Sequence, residues 1–152
     1  MVIGRIIAIA VLLALLGTPA APADKIVPRS GQAMAPLPTD EPVRKGMLAI
    51  RDLVRINHSL ITHRRMPPDH ALRFAAQVKI EADRILATSN LSGEGREKLH
   101  AVLKEIVTGI GAVAKPEAGV SPLDGLVRAD QALARYPREF DHPGWAPVQS
   151  LD

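Results

Sequence analysis

The chain contains no cysteine. That absence excludes disulfides, thiolate zinc sites, iron–sulfur clusters, haem attachment through C-x-x-C-H, a cysteine nucleophile and the acylated cysteine of a lipoprotein. Aromatic residues are nearly as scarce, with two Phe, one Tyr and one Trp in 152 residues. No segment alternates apolar and polar residues with the β-branched and aromatic enrichment of a strand, so a sheet domain is not expected. A phosphate-cradling loop is also missing, because Gly93-Glu94-Gly95 falls between helical segments instead of after a strand. Nor is there a block of one charge. The formal charge is +3 with acids and bases interspersed, which gives no support to a nucleic-acid partner.

What is present begins with an export pattern. One positive charge, Arg5, precedes the apolar run Ile6 to Leu16, followed by Gly17-Thr18-Pro19 and Ala21-Pro22-Ala23. The run has 11 residues, well short of the roughly 20 that span a bilayer, and the small residues at Ala21 and Ala23 fit cleavage after Ala23. The reading is therefore a signal peptide over 1–23, a periplasmic or secreted product and no membrane contact after cleavage. Removing Arg5 leaves 18 Lys and Arg against 16 Asp and Glu. Residues 24–39, with Pro28, Pro36 and Pro38 and no apolar period, read as a flexible tether.

Residues 40–152 carry four helical segments. The first runs from about Glu41 to Arg65, capped by Thr39 or Asp40, with Pro42 in its first turn and a stripe of Val43, Met47, Ile50, Leu53, Val54, Leu60 and Ile61. The second starts at Pro67-Pro68 and buries Ala71, Phe74, Ala75, Val78, Ala82 and Ile85. Ser92 caps the third, whose stripe is Leu99, Val102, Leu103, Ile106, Ile110 and Val113; Gly109 and Gly111 either admit a neighbouring helix closely or loosen this end. Ser121-Pro122-Leu123-Asp124 spells a cap, an N1 proline and a capping-box acid for the fourth, with Leu123, Leu126, Val127, Leu133 and Ala134 inward and Pro137 as its end. Short connections make successive helices antiparallel neighbours, which predicts an all-α, up-down-up-down four-helix bundle. Tyr136, Phe140 and Trp145 cluster near the C-terminus and are expected to fold back as an apolar lid on one bundle end.

An exported chain with a first helix of the form Arg44-x-x-Met47-x-x-Ile50-x-x-Leu53, a Pro-initiated alanine-rich second helix and four helices in all resembles the periplasmic cytochrome c-prime and b-type cytochrome bundles. The resemblance implies a four-helix bundle. It implies no haem ligand here: the c-prime attachment motif is missing, and Met47 matches the b-type methionine while the fourth helix has no histidine to complete the pair.

Candidate chemistry concentrates in one stretch, His58, His63, Met66 and His70. With Ile50 at 0° and about 100° per residue, His58 falls near 80° and His63 near 220°, so only His63, Met66 and His70 share the corner between the first two helices. Imidazole and thioether there suit copper, and imidazole alone suits nickel or zinc, beside the repelling charges of Arg64 and Arg65. Asn57, near 340°, and Asp130 fall on inner faces and need polar partners: each other, a small ligand, or a polar contact that fixes the register near the middle of the bundle. His100 and His142 have no Ser or acid spaced for a triad. Glu97-x-x-His100 is a single copy of a motif that a di-iron bundle needs twice. These residues predict a non-enzymatic, haem-less bundle protein that binds a partner protein or a small ligand, with copper or nickel handling at His63, Met66 and His70 as the alternative. The basic corner Arg64-Arg65 and the aromatic tail are the candidate partner surfaces.

Overall fold

The computed structural model describes residues 35–148. The signal-peptide reading of 1–23, and the tether reading up to residue 34, lie outside the described residues. Four helices fill most of the rest: α1 (Glu41–Thr62), α2 (Pro68–Thr88), α3 (Gly93–Ala114) and α4 (Pro122–Glu139). A two-residue strand lies on either side of them, β1 (Leu37–Pro38) and β2 (Phe140–Asp141), and the two pair in parallel. The expectation of an all-α fold with four helices holds.

Asp40 opens α1 and ties it to the end of α2. Its Oδ1 accepts from the Val43 N–H at 3.0 Å, while Oδ2 accepts from the Ser89 hydroxyl at 3.1 Å and the Asn90 N–H at 2.6 Å. Burial works to raise the pKa of this carboxyl, but those donors and the Arg44 charge outweigh it and hold it below its ordinary value. Near the other end of α1, Asn57 meets His70 in the first turn of α2, so α1 and α2 run in opposite directions.

The stripes of the first three helices pack as their periodicity requires. Val43, Met47, Ile50 and Val54 of α1, Phe74 and Val78 of α2, and Val102, Ile106 and Ile110 of α3 are all buried. Helix α1 is shorter than expected, ending at Thr62 instead of Arg65. Ser92 sits at the N-cap of α3 without a side-chain cap bond, whereas Ser121 and Asp124 form the expected capping box.

Helix α4 departs further. Leu126 and Leu133 are buried, but Leu123, Val127 and Ala134 are exposed, and the inward places go to Gly125, Ala129, Ala132 and Tyr136. At about 100° per residue the buried set spans an arc of about 120°, and the three exposed residues lie nearly opposite. The small-residue face wins because it admits α3 to backbone contact. A Cβ on Gly109 would stand 2.5 Å from the Gly125 carbonyl oxygen, and one on Gly125 would stand 2.4 Å from that of Gly109. Of the two outcomes open for these glycines, Gly109 serves close approach, whereas nothing lies within 4 Å of a Cβ on Gly111. The helix also runs through Pro137 to Glu139, a position that forfeits one backbone bond but lets Tyr136 and Phe140 stack, ring centroids 5.2 Å apart, in the core.

The aromatic tail docks. Phe140 is buried, Trp145 packs on Tyr136 and on His142, and the Arg51 guanidinium lies 5.5 Å from the Trp145 ring centre. Leu37 pairs with Phe140, and the Thr39 hydroxyl donates to the Asp141 carbonyl at 2.6 Å. The last residues of the tether segment are therefore held against the tail. The Tyr136 hydroxyl, which burial keeps protonated, is hydrogen-bonded to His142 Nδ1 at 2.9 Å.

Two outcomes test these contacts. Gly109→Ala should lose about 1–3 kcal/mol through backbone overlap, and Gly111→Ala should gain about 0.5–1 kcal/mol through helix propensity, opposite signs that urea unfolding separates. Burial and the positive charges of Arg44 and Arg51 lower the pKa of His142 from 6.5, against the smaller opposing effect of Asp141. The free tail thus takes a proton near pH 6.5 that the docked tail refuses, so docking is at full strength above that pH and weakens as pH falls through the lowered value. Acrylamide quenching of Trp145 should rise over that descent, and His142→Gln should abolish the rise.

Candidate functional site

At the end of the bundle away from the tail, α1 finishes in a left-handed turn. The Arg64 N–H bonds the Ile61 carbonyl at 3.0 Å and the Arg65 N–H bonds that of Leu60 at 2.8 Å, a Schellman closure whose penultimate residue is usually glycine. Here it is Arg64, with φ of 55°, the one described non-glycine residue with positive φ. The cost of that conformation for a side-chain-bearing residue is roughly 1–2 kcal/mol.

This turn forms one wall of a cleft of about 470 Å³. Leu60 and Ile61 contribute from α1, Met66 from the connection, Ala71 from α2, Val113 from the end of α3 and Leu123 from the start of α4. The two prolines that open α2 and α4, Pro68 and Pro122, stand at its edge. Its one charged lining residue is Arg64, which makes no ion pair among the described residues. The Ser121 hydroxyl at the rim already accepts from the Leu123 N–H. A shallower groove of about 370 Å³ between α1 and α2 exposes Ile56 and Ile80, but the carboxylates beside it, Asp52 and Glu81, are engaged by Arg51 and Arg84.

Immediately inward along α1, two adjacent residues reach different helices. Asn57 is buried, donates to the Leu53 carbonyl at 2.8 Å and accepts from His70 Nε2 at 2.7 Å. His58 Nε2 lies 3.2 Å from Asp130 Oδ2 on α4, while His58 Nδ1 and Asp130 Oδ1 are buried without partners. Burial raises the Asp130 pKa, and the proximity of His58 offsets only part of that rise. Asn57 and Asp130 therefore each find a histidine and do not meet each other.

The expected metal corner is divided among other tasks. His63 is exposed with Nδ1 2.9 Å from the Ser59 carbonyl, Met66 is half-buried against the core, and His70 is held by Asn57. Among the described residues, no three His, Cys, Asp or Glu side chains gather in a way that could hold a metal ion. Met47 is fully buried, His100 and Glu97 are exposed on α3, and His142 is buried in the tail. No described helix is long and apolar enough to cross a membrane.

Sequence reasoning placed Arg64 in a basic corner and missed the cleft it lines. No local signal marked it, because the left-handed stop at Arg64 carries no glycine that the sequence would show. Compared with protein families, curated proteins and solved structures, the chain matches none.

The left-handed turn yields its own expected outcome. Arg64→Gly should raise stability by about 1 kcal/mol, read as a higher urea midpoint with an unchanged slope.

Proposed function

We propose that this is an exported, non-enzymatic bundle protein whose end cleft binds a small, largely apolar molecule. The observation that carries the reading is the cleft itself, about 470 Å³ with walls drawn from all four helices. That volume lies within the range of small-molecule sites, which combine apolar walls with few polar groups. A single unpaired cation at the mouth fits that pattern. The export part rests on the N-terminal sequence pattern, and the non-enzymatic part on the commitment of Asn57, His70, His58 and Asp130 to one another instead of to the cleft. The copper or nickel reading has no comparable support, since His63 and His70 each serve another hydrogen bond.

Titration with the neutral fluorophore N-phenyl-1-naphthylamine tests the cleft. Saturable one-to-one binding is expected, and it should be lost in Ala71→Trp, which fills the space, and in Leu123→Glu, which puts a charge on the wall. Leu123 is 39% exposed, so its variant should fold even where the tryptophan does not. Absence of binding, or binding indifferent to Leu123→Glu, would overturn the proposal.

A further inference from the structure

Arg64 combines two features that the adjacent Arg65 lacks: it occupies a left-handed position where glycine is easier, and it lines the cleft. Like Arg65, it has no carboxylate partner among the described residues. A cation at a helix C-terminus gains some energy from the terminal carbonyls, but Arg65 stands next to it in an unstrained conformation and does not line the cleft. The remaining lining is uncharged, so the cleft presents one positive group at the edge of an apolar surface. The complementary molecule has one negative group at the end of an apolar chain.

Resting on the cleft being a ligand site, we infer that its ligand is a single-chain carboxylate amphiphile, with the carboxylate on the Arg64 guanidinium and the alkyl chain against Leu60, Met66, Val113 and Leu123. The planar guanidinium offers paired N–H donors that match a carboxylate in two parallel hydrogen bonds, a geometry that a lysine ammonium does not supply. The alkyl chain displaces water from the apolar wall, the main source of affinity. The carboxylate sets orientation and selectivity.

Calorimetry with decanoate, decanamide and decylammonium, each below its aggregation concentration, reads this directly on the full exported chain. The wild-type protein should bind decanoate about tenfold or more tightly than the isosteric amide, as a charge-assisted hydrogen bond predicts, and decylammonium least well. Arg64→Gln should bring decanoate down to the level of decanamide and leave decanamide unchanged. Arg65→Gln should keep the preference, which separates a contact at Arg64 from the general charge of the corner. Equal binding of decanoate and decanamide to the wild type, or a preference that survives Arg64→Gln, overturns the carboxylate assignment while leaving the cleft proposal standing. If none of the three probes nor the neutral fluorophore binds, the cleft proposal falls and takes the assignment with it.

Discussion

The contact between Gly109 and Gly125 is the constraint around which the bundle is arranged. With no side chain at either position, each backbone carbonyl occupies the space where the other residue's Cβ would stand, and α3 and α4 meet along a face of Gly and Ala instead of Leu and Ile. At that point neither helix contributes bulk, so the large core side chains lie around it: Ile50 and Met47 from α1, Phe74 and Ile85 from α2, Leu103 and Ile106 from α3, and Leu126, Leu133 and Tyr136 from α4. It also sets the separation of Val113 and Leu123, each within about one turn of the contact, and these two residues are walls of the cleft. The geometry of the candidate site thus depends on two residues that do not line it, one of which packs against the Val113 backbone.

Polar bridges fix what apolar packing leaves free. Stripes of aliphatic residues slide against one another at little cost, whereas a buried amide or carboxylate that loses its partner is left desolvated. Asn57 and His58 are neighbours in sequence, yet one is bonded to α2 and the other faces α4, so α1 cannot rotate or shift by a turn without breaking both. The His58–Asp130 bridge is the less complete of the two. One atom of each partner is buried unpaired, and burial pushes the carboxyl toward its neutral form, so its contribution lies in register more than in stability.

How much of this was legible depended on the size of the side chains involved. In α1 to α3 the inward residues are large and aliphatic, and their spacing alone located the buried face. In α4 Leu126 and Leu133 were read correctly, but Gly125, Ala129 and Ala132, also inward, carry little hydrophobic signal, while Leu123 and Val127 carry more and point away from the core; pattern reading followed the larger residues. The Ser121 capping box is local and was readable residue by residue. Pro137 was misread because its local cost is offset by the burial of Tyr136 and Phe140, part of which rests on partners far away in sequence, such as Leu37 beside Phe140. Asn57 was correctly placed on the inner face, but its partner His70 lies in the next helix and belonged, on sequence, to a metal corner. The cleft was the least visible feature. A cavity is made by what several helix ends fail to fill, and no single segment records that.

The two ends of the bundle are treated oppositely. At one end Asp40 bridges two helices, β1 pairs with β2, Arg51 covers Trp145, and the Tyr136 hydroxyl is buried against His142; nearly every group there has a partner. At the other end stand a left-handed arginine, a half-exposed Leu123, a half-buried Met66 and an open volume. Each of these is locally less favourable than an available alternative, such as glycine in the turn or a larger residue at Ala71. A chain selected for stability alone would not gather its unfavourable choices around one concavity. Their concentration there, with the opposite end closed tightly enough to carry the cost, is what the proposed ligand site at that end calls for.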